Sequence, residues 1–206
     1  MTRKHLLLVL AACFALGGSW LLAQSRRQVL LIARPYSDDI GLGITQEVRP
    51  MIARLQESGF DVKVASQSGA LIGGGPGALQ PDLKLSEVVT DEYTGILVPC
   101  MGVGNMPGWL PKEAVEIVKQ AAHRGIPIAA QQSGVWILGE AGLLKGRKWA
   151  CANPRNYGGK WEGLGVIQDG NILTSGICPY QAREGKGKDG TEELMTKFVA
   201  ALKGTN

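Results

Sequence analysis

The chain reads as a doubly wound α/β sandwich of the flavodoxin-like kind. A mostly parallel sheet should lie between two layers of helices, with a β-hairpin in the C-terminal half. Three observations predict this. Short apolar, β-branched runs recur at 29–33, 96–99 and 126–130 without alternation, as strands buried on both faces require. Amphipathic stretches of helical length separate strands, giving the order β-α-β, β-α-β-α, hairpin, α. Asp169-Gly170 stands between the apolar runs 164–168 and 171–175, a strong two-residue hairpin signal.

In chain order, 29–33 is the first buried strand, and a loop over 35–43 holds Asp38 and Asp39. A helix ends at Ser58 and begins near Thr45 or at Pro50; proline suits only a first helical turn, which leaves both starts open. Gly59 ends it and 61–65 is the second strand. Residues 69–81 form a glycine-rich excursion. Its Gly73-Gly74-Gly75-Pro76-Gly77 lacks the Lys-Ser/Thr of a phosphate loop and reads as a flexible turn.

Strand 96–99 runs into Cys100-Met101-Gly102-Val103-Gly104-Asn105. Helix 111–124 has proline at its start and Gly125 past its end, with Val115, Val118 and Ala122 marking its inner face. Strand 126–130 leads through a corner into helix 135–144, which Gly146 stops. A short strand at 148–152 follows. Helix 191–203 closes the fold, with Leu194, Phe198 and Ala201 or Leu202 inward.

Composition bounds what such a fold can do. With 206 residues, one domain over 28–204 is the expectation, and its core can be sizeable. The formal charge is +4, and no basic block or interleaving of aromatic and basic residues points to nucleic acid. Residues 1–23 stand apart. Arg3, Lys4 and His5 precede the unbroken apolar run 6–16, and Leu21-Leu22-Ala23 is a tolerable cleavage site. This segment reads as an export signal. Retention as a membrane anchor over 6–23 is the second reading, and lipidation at Leu10-Ala11-Ala12-Cys13 the third. The protein is therefore expected outside the cytoplasm, touching membrane only through this segment.

The chemistry should gather where strand 126–130 turns into its helix. Gln131, Gln132 and Ser133 sit on that corner, at the carboxyl end of the sheet, where α/β proteins place nucleophiles and anions. Ser133 is expected to cap the helix beginning at Gly134. The loops 38–41, 100–105 and 131–134 should converge there. The two histidines are His5, in the leader, and His123, near the end of helix 111–124. A Ser-His-Asp or Cys-His triad has no base, and no histidine pair or C-x-x-C offers a zinc site; no cofactor is expected.

The corner and its surroundings resemble the DJ-1/PfpI family of the glutamine amidotransferase-like superfamily. Pro127-Ile128-Ala129-Ala130-Gln131-Gln132-Ser133-Gly134 is similar to the family's A-x-C-H-G corner, and Ala141-Gly142-Leu143-Leu144-Lys145-Gly146-Arg147 to the tail that follows it. Asp82-Leu83-Lys84-Leu85, Tyr93-Thr94-Gly95-Ile96-Leu97-Val98-Pro99 and Asp169-Gly170-Asn171-Ile172-Leu173-Thr174-Ser175-Gly176 extend the likeness across 29–202. The resemblance implies that the family cysteine falls on Gln132, its histidine on Ser133 and its acidic partner on Asp38. A glutamine amide is not a nucleophile at neutral pH, so the family's thiolate chemistry does not transfer to that position.

The resemblance also implies that 176–179 approaches the same cleft, which opens three readings of the cysteines. Cys100 and Cys178 form a disulfide; or Cys100 is a free thiol favoured as thiolate by a loop rich in N–H groups; or these and Cys151 are buried small residues.

The leading expectation is an exported DJ-1/PfpI-like pseudoenzyme that binds a small polar molecule or a protein partner. Its binding residues would be Gln132, Gln131, Ser133, Gly134, Gly102 and Cys178. Gln132 could instead only tie the loops together. The alternative is an amidase- or glyoxalase-like hydrolase or lyase with Cys100 as nucleophile and Asp38 as acid/base. A homodimer is what the resemblance suggests for assembly.

Overall fold

The structure, a computed structural model, describes residues 27–34, 40–101 and 110–204. Its strands are β1 (Gln28–Ile32), β2 (Asp61–Ser66), β3 (Leu83–Lys84), β4 (Tyr93–Val98), β5 (Ile128–Gln131), β6 (Lys148–Trp149), β7 (Lys160–Trp161), β8 (Val166–Asp169) and β9 (Ile172–Ser175). Seven of them form one sheet in the order β3-β2-β1-β4-β5-β9-β8. Every pairing in it is parallel except the β8–β9 hairpin. This is the expected mostly parallel α/β sandwich.

The helices are α1, a continuous helical run over 40–57, α2 (Lys112–His123), α3 (Val135–Glu140), α4 (Pro179–Arg183) and α5 (Thr191–Gly204). Strand residues alternate between two buried layers, as the two-residue repeat of a strand dictates. Leu30, Ile32, Ile96, Val98, Ile128 and Ala130 face α2 and α3. Val29, Leu31, Leu97, Ala129 and Leu173 face α1 and α5, where Met51, Leu55, Leu194, Phe198 and Leu202 meet them. Each fully buried Leu or Ile contributes about 1.5–3 kcal/mol, so both layers are strongly held.

Several boundaries differ from the sequence reading. Helix α1 begins at Ile40, earlier than either expected start, and is π-helical over Gly43–Val48. In a π turn a carbonyl pairs with the N–H five residues on. That register passes over Pro50, which has no N–H to give. On α2 the buried residues are Ala114, Ile117, Val118 and Ala121, while Val115 and Ala122 are only partly buried. A rotation of one residue turns bulky Ile117 onto the sheet. Helix α3 ends at Glu140 rather than 144, and turns carry the chain onward. Strand β6 pairs with β7 in a separate two-stranded sheet rather than joining the main one. Strands β3 and β7 and helix α4 are too short to announce themselves by periodicity.

Strand order reverses at β1, which has β2 on one side and β4 on the other. In doubly wound sheets the crevice beyond the carboxyl ends of the strands at such a point is where ligands bind. Here it receives Ala33 and Arg34 after β1, Pro99 and Cys100 after β4, and the corner after β5.

Candidate functional site

The corner after β5 is a strained turn. Gln132 has φ +44°, a left-handed conformation that costs a residue with a Cβ about 1–2 kcal/mol. The turn is tight because Gly134 lies against β4. A Cβ at Gly134 would come within 2.3 Å of the Val98 carbonyl oxygen. Gln132 is 3% exposed, and its Oε1 lies 3.0 Å from Cys100 Sγ, the thiol donating. Turning the amide over would offer an N–H to the thiolate instead. Gln131, beside it, is fully buried. Its amide nitrogen donates to the Ile177 carbonyl (2.8 Å) and Thr191 Oγ1 (3.1 Å), joining β5 to the chain beyond β9 and to α5.

Ser133 does not cap the following helix. Its hydroxyl accepts from Arg34 Nη2 at 2.8 Å and turns toward Cys100, 3.3 Å from the carbonyl oxygen and 3.4 Å from Sγ. A serine that meets a buried guanidinium and a neighbouring loop is drawn away from local capping, since an unpaired buried cation costs more than a lost cap.

The corner after β4 is also left-handed, with Met101 at φ +53°. The N–H groups of Cys100 and Met101 point together and form a small anion-binding concavity. Glu47 fills it: Oε1 accepts from Cys100 N and Oε2 from Met101 N, each at 2.7 Å. Helix α1 comes this close because Gly43, four residues before Glu47 on the same face, has no Cβ. One there would lie 2.9 Å from the Met101 carbonyl carbon.

Arg34 completes the cluster and is fully buried. Its Nη2 donates to the Pro99 carbonyl (2.9 Å) and the Cys100 carbonyl (2.6 Å) as well as to Ser133, and Nη1 reaches the Ser133 carbonyl at 3.3 Å. One guanidinium thus ties the ends of β1, β4 and β5 together. Burial lowers its pKa, while the negative charges of Cys100 and Glu47 push the other way.

These neighbours set the state of the sulfur. Burial raises the Cys100 pKa, but a hydrogen bond from the Cys178 thiol, the Arg34 charge and donors from Ser133 outweigh it, and the thiol falls to about 6. Glu47 is held well above the usual carboxylate range, first by burial and then by Cys100; its two amide partners and Arg34 pull it down. Cys151 has no such support: burial pushes it up to about 11, and its Sγ donates to the Gln132 carbonyl at 3.3 Å.

Cys100, Gln132, Ser133, Gly134 and Cys178 therefore share one buried cluster. Cys100 and Cys178 are both buried free thiols, not the disulfide that the resemblance allowed. Asp38 and Gly102 lie outside the described residues. The carboxyl at the site among the described residues is Glu47, which the sequence reading missed along with Arg34. A signal for Glu47 existed: it interrupts the buried stripe Ile44, Val48, Met51, Leu55 on α1. His123 sits exposed in the last turn of α2. Among the described residues no group of three or more His, Cys, Asp or Glu is placed to hold a metal.

A strained strand-to-helix corner over the switch point is an arrangement with known counterparts, and the DJ-1/PfpI family model matches residues 27–181. This chain belongs to the DJ-1/PfpI family. A protein of Archaeoglobus fulgidus is 33% identical over 156 residues, covering 72% of this chain and 88% of its own length. The deglycase PfpI of Pyrococcus furiosus is 35% identical over 130 residues, 59% of this chain and 76% of that protein. Among solved structures, the ThiJ/PfpI domain protein from Brachyspira murdochii superposes with a TM-score of 0.66 at 18% identity, covering 88% of this chain and 98% of that one. Drosophila melanogaster DJ-1beta does so with 0.58 at 21%, covering 87% and 97%. These two likenesses support the fold. In this DJ-1/PfpI chain the residue on the corner is Gln132, and the nearest described sulfur is that of Cys100, delivered from the neighbouring strand.

Proposed function

We propose that this DJ-1/PfpI protein is a thiol-dependent enzyme acting on small electrophilic carbonyl compounds, with Cys100 as its nucleophile. The observation that carries the reading is the Cys100 sulfur, 3.0 Å from the corner side chain and lowered to about 6 by Cys178, Arg34 and Ser133 against the cost of burial. Such a group is largely thiolate at neutral pH, the form that attacks carbonyl carbon. Addition forms a carbon–sulfur bond and leaves charge on the carbonyl oxygen, which must take a proton. Glu47, whose pKa burial and Cys100 raise and which is bonded to the Cys100 amide, is the candidate donor of that proton. The deglycase names of the Pyrococcus furiosus and Thermococcus kodakarensis relatives favour the same substrate class.

The test is alkylation and turnover together. Iodoacetamide should modify Cys100 with a half-maximal rate near pH 6, and purified protein should consume methylglyoxal. Cys100→Ser should abolish both. Turnover that survives Cys100→Ser overturns the reading.

One observation favours a second reading, a non-catalytic binding protein. The Glu47 carboxylate occupies the two amides that would otherwise receive a substrate's oxygen. Under that reading Cys100 alkylates slowly at every pH below 8, and no carbonyl is consumed. Export through 1–23 belongs to either reading. Fractionation of cells expressing the full chain, with N-terminal sequencing of the product, tests it; a cytoplasmic product with an intact N-terminus rejects it.

A further inference from the structure

Addition of the Cys100 sulfur to a carbonyl carbon moves negative charge onto the substrate's oxygen, which needs hydrogen-bond donors already in place as that charge forms. Most donors around the sulfur are spent on the protein itself. Glu47 takes the N–H groups of Cys100 and Met101 at 2.7 Å each. Arg34 Nη1 and Nη2 are engaged by the Pro99, Cys100 and Ser133 carbonyls and the Ser133 hydroxyl, and its Nε is wholly buried. The Ser133 hydroxyl turns its own proton toward Cys100.

The side chain of Gln132 is the exception. Its Oε1 lies 3.0 Å from Cys100 Sγ, and Nε2 branches from the same carbon, so the amide nitrogen stands one group's width from the sulfur. Nε2 has no acceptor among the described residues, and it is not one of their wholly buried unpartnered atoms. A primary amide carries two N–H groups. With Oε1 toward the sulfur both are unclaimed; with the amide turned to face a thiolate, one still is. The chain keeps this side chain at the corner at a cost, since φ +44° strains any residue but glycine.

We propose that Gln132 is a catalytic residue of the carbonyl addition: its Nε2 binds the oxygen of a small aldehyde or ketone beside the Cys100 sulfur and stabilises the oxyanion that forms. This role depends on the thiol-dependent reading of the same site. As the carbon–sulfur bond forms, the π pair of the carbonyl moves onto oxygen, and the negative charge passes from sulfur to oxygen. The hydrogen bond from Gln132 strengthens with it, and no proton leaves the amide. The proton that neutralises the oxygen is the one assigned above to Glu47. Gln132 thus holds the carbonyl oxygen while Cys100 meets the carbon, and Glu47 on the two backbone amides is no obstacle to turnover. With Cys100 2% exposed and Gln132 3%, only a small carbonyl compound can engage both.

The test separates the oxygen from the sulfur. Gln132→Met keeps the length of the side chain and removes both N–H groups. Iodoacetamide alkylates at a saturated carbon, where no oxyanion forms. In Gln132→Met, alkylation of Cys100 at pH 7 should proceed at least as fast as in wild type, while kcat on methylglyoxal should fall about 100-fold with KM changed far less. Gln132→Gly, which also relieves the strained φ, should show the same split and decides the matter if Gln132→Met does not fold. Turnover that survives undiminished in a folded variant overturns the proposal. So does alkylation that falls in step with turnover, since Gln132 would then serve the sulfur rather than the oxygen. A wild type that consumes no methylglyoxal while Cys100 alkylates rejects the thiol-dependent reading and this role with it; a wild type and variant that turn over alike reject this role alone.

Discussion

The corners after β4 and β5 are built alike and equipped differently. Each ends a central parallel strand, and each puts a residue with a Cβ into left-handed space, Met101 at φ +53° and Gln132 at φ +44°. The β5 corner is fixed by close packing, Gly134 against the Val98 carbonyl. Its side chain is a neutral amide. The β4 corner is fixed by charge: Glu47 holds two amides, Arg34 holds two carbonyls, and a thiol is embedded among them. The difference teaches that the shape of such a site and its ionisable group are separable. Backbone packing keeps the sharp turn, while the electrostatics of the adjacent turn set the ionisation of the thiol beside it.

The comparison can be broken most severely at Glu47. Glu47→Ala leaves two buried N–H groups unpaired and Arg34 short of a counter-charge, and should cost about 3–5 kcal/mol in urea unfolding. Glu47→Gln keeps one acceptor and should cost less, about 1–3 kcal/mol. Equal losses in both variants would mean that charge, rather than hydrogen bonding, holds the β4 corner.

Next in size is Gly134→Ala, which forces a Cβ toward a carbonyl oxygen and should cost about 2–3 kcal/mol. A loss as small as a surface substitution's would show the β5 corner to be less tightly packed than its geometry implies.

A smaller effect should separate the thiol from its scaffold. Cys100 is depressed in the folded state from an ordinary 9.0 to about 6. Between those values the unfolded chain holds the extra proton, so Cys100 adds stability that grows with pH and is lost as pH falls through about 6. The raised Cys151 acts in the opposite sense, and only from about pH 9 upward. The difference in urea midpoint between wild type and Cys100→Ser should therefore widen from pH 6 to pH 8.5. A constant difference would mean that the thiol is not ionised in the folded protein.

The smallest change expected is for Gln132→Gly. Relief of backbone strain, about 1 kcal/mol, offsets loss of the bond to Cys100, also about 1 kcal/mol. Stability should stay nearly level, while alkylation of Cys100 should quicken as its neighbour is removed. Slower alkylation would assign Gln132 a supporting role for the thiolate.

Much of the frame was legible in the chain. The runs at 29–33, 96–99 and 126–130 became β1, β4 and β5, because uninterrupted apolar residues fit only strands covered on both faces. Asp169-Gly170 fixed the hairpin by local turn chemistry. The position of Gln132 on the corner followed from the apolar strand pattern before it and the helical pattern after it. Arg34 was not legible, since a lone arginine after a strand carries no periodic signature. Glu47 left one sign, its interruption of the buried stripe on α1, and Pro50 obscured the helical register that would have made that sign readable.

Sequence alone determined the layered α/β architecture, the family and the absence of an ionisable group at position 132, since each follows from local pattern or residue chemistry. Tertiary structure alone decided that Arg34 and Glu47 join Cys100, Ser133 and Cys178 in the cleft that the sequence placed at the strand ends. They come from segments far apart in the chain, and only the crossover at β1 brings those strand ends to one crevice. The low dielectric of that buried crevice then makes each group's ionisation depend on the others, a property that no single residue carries.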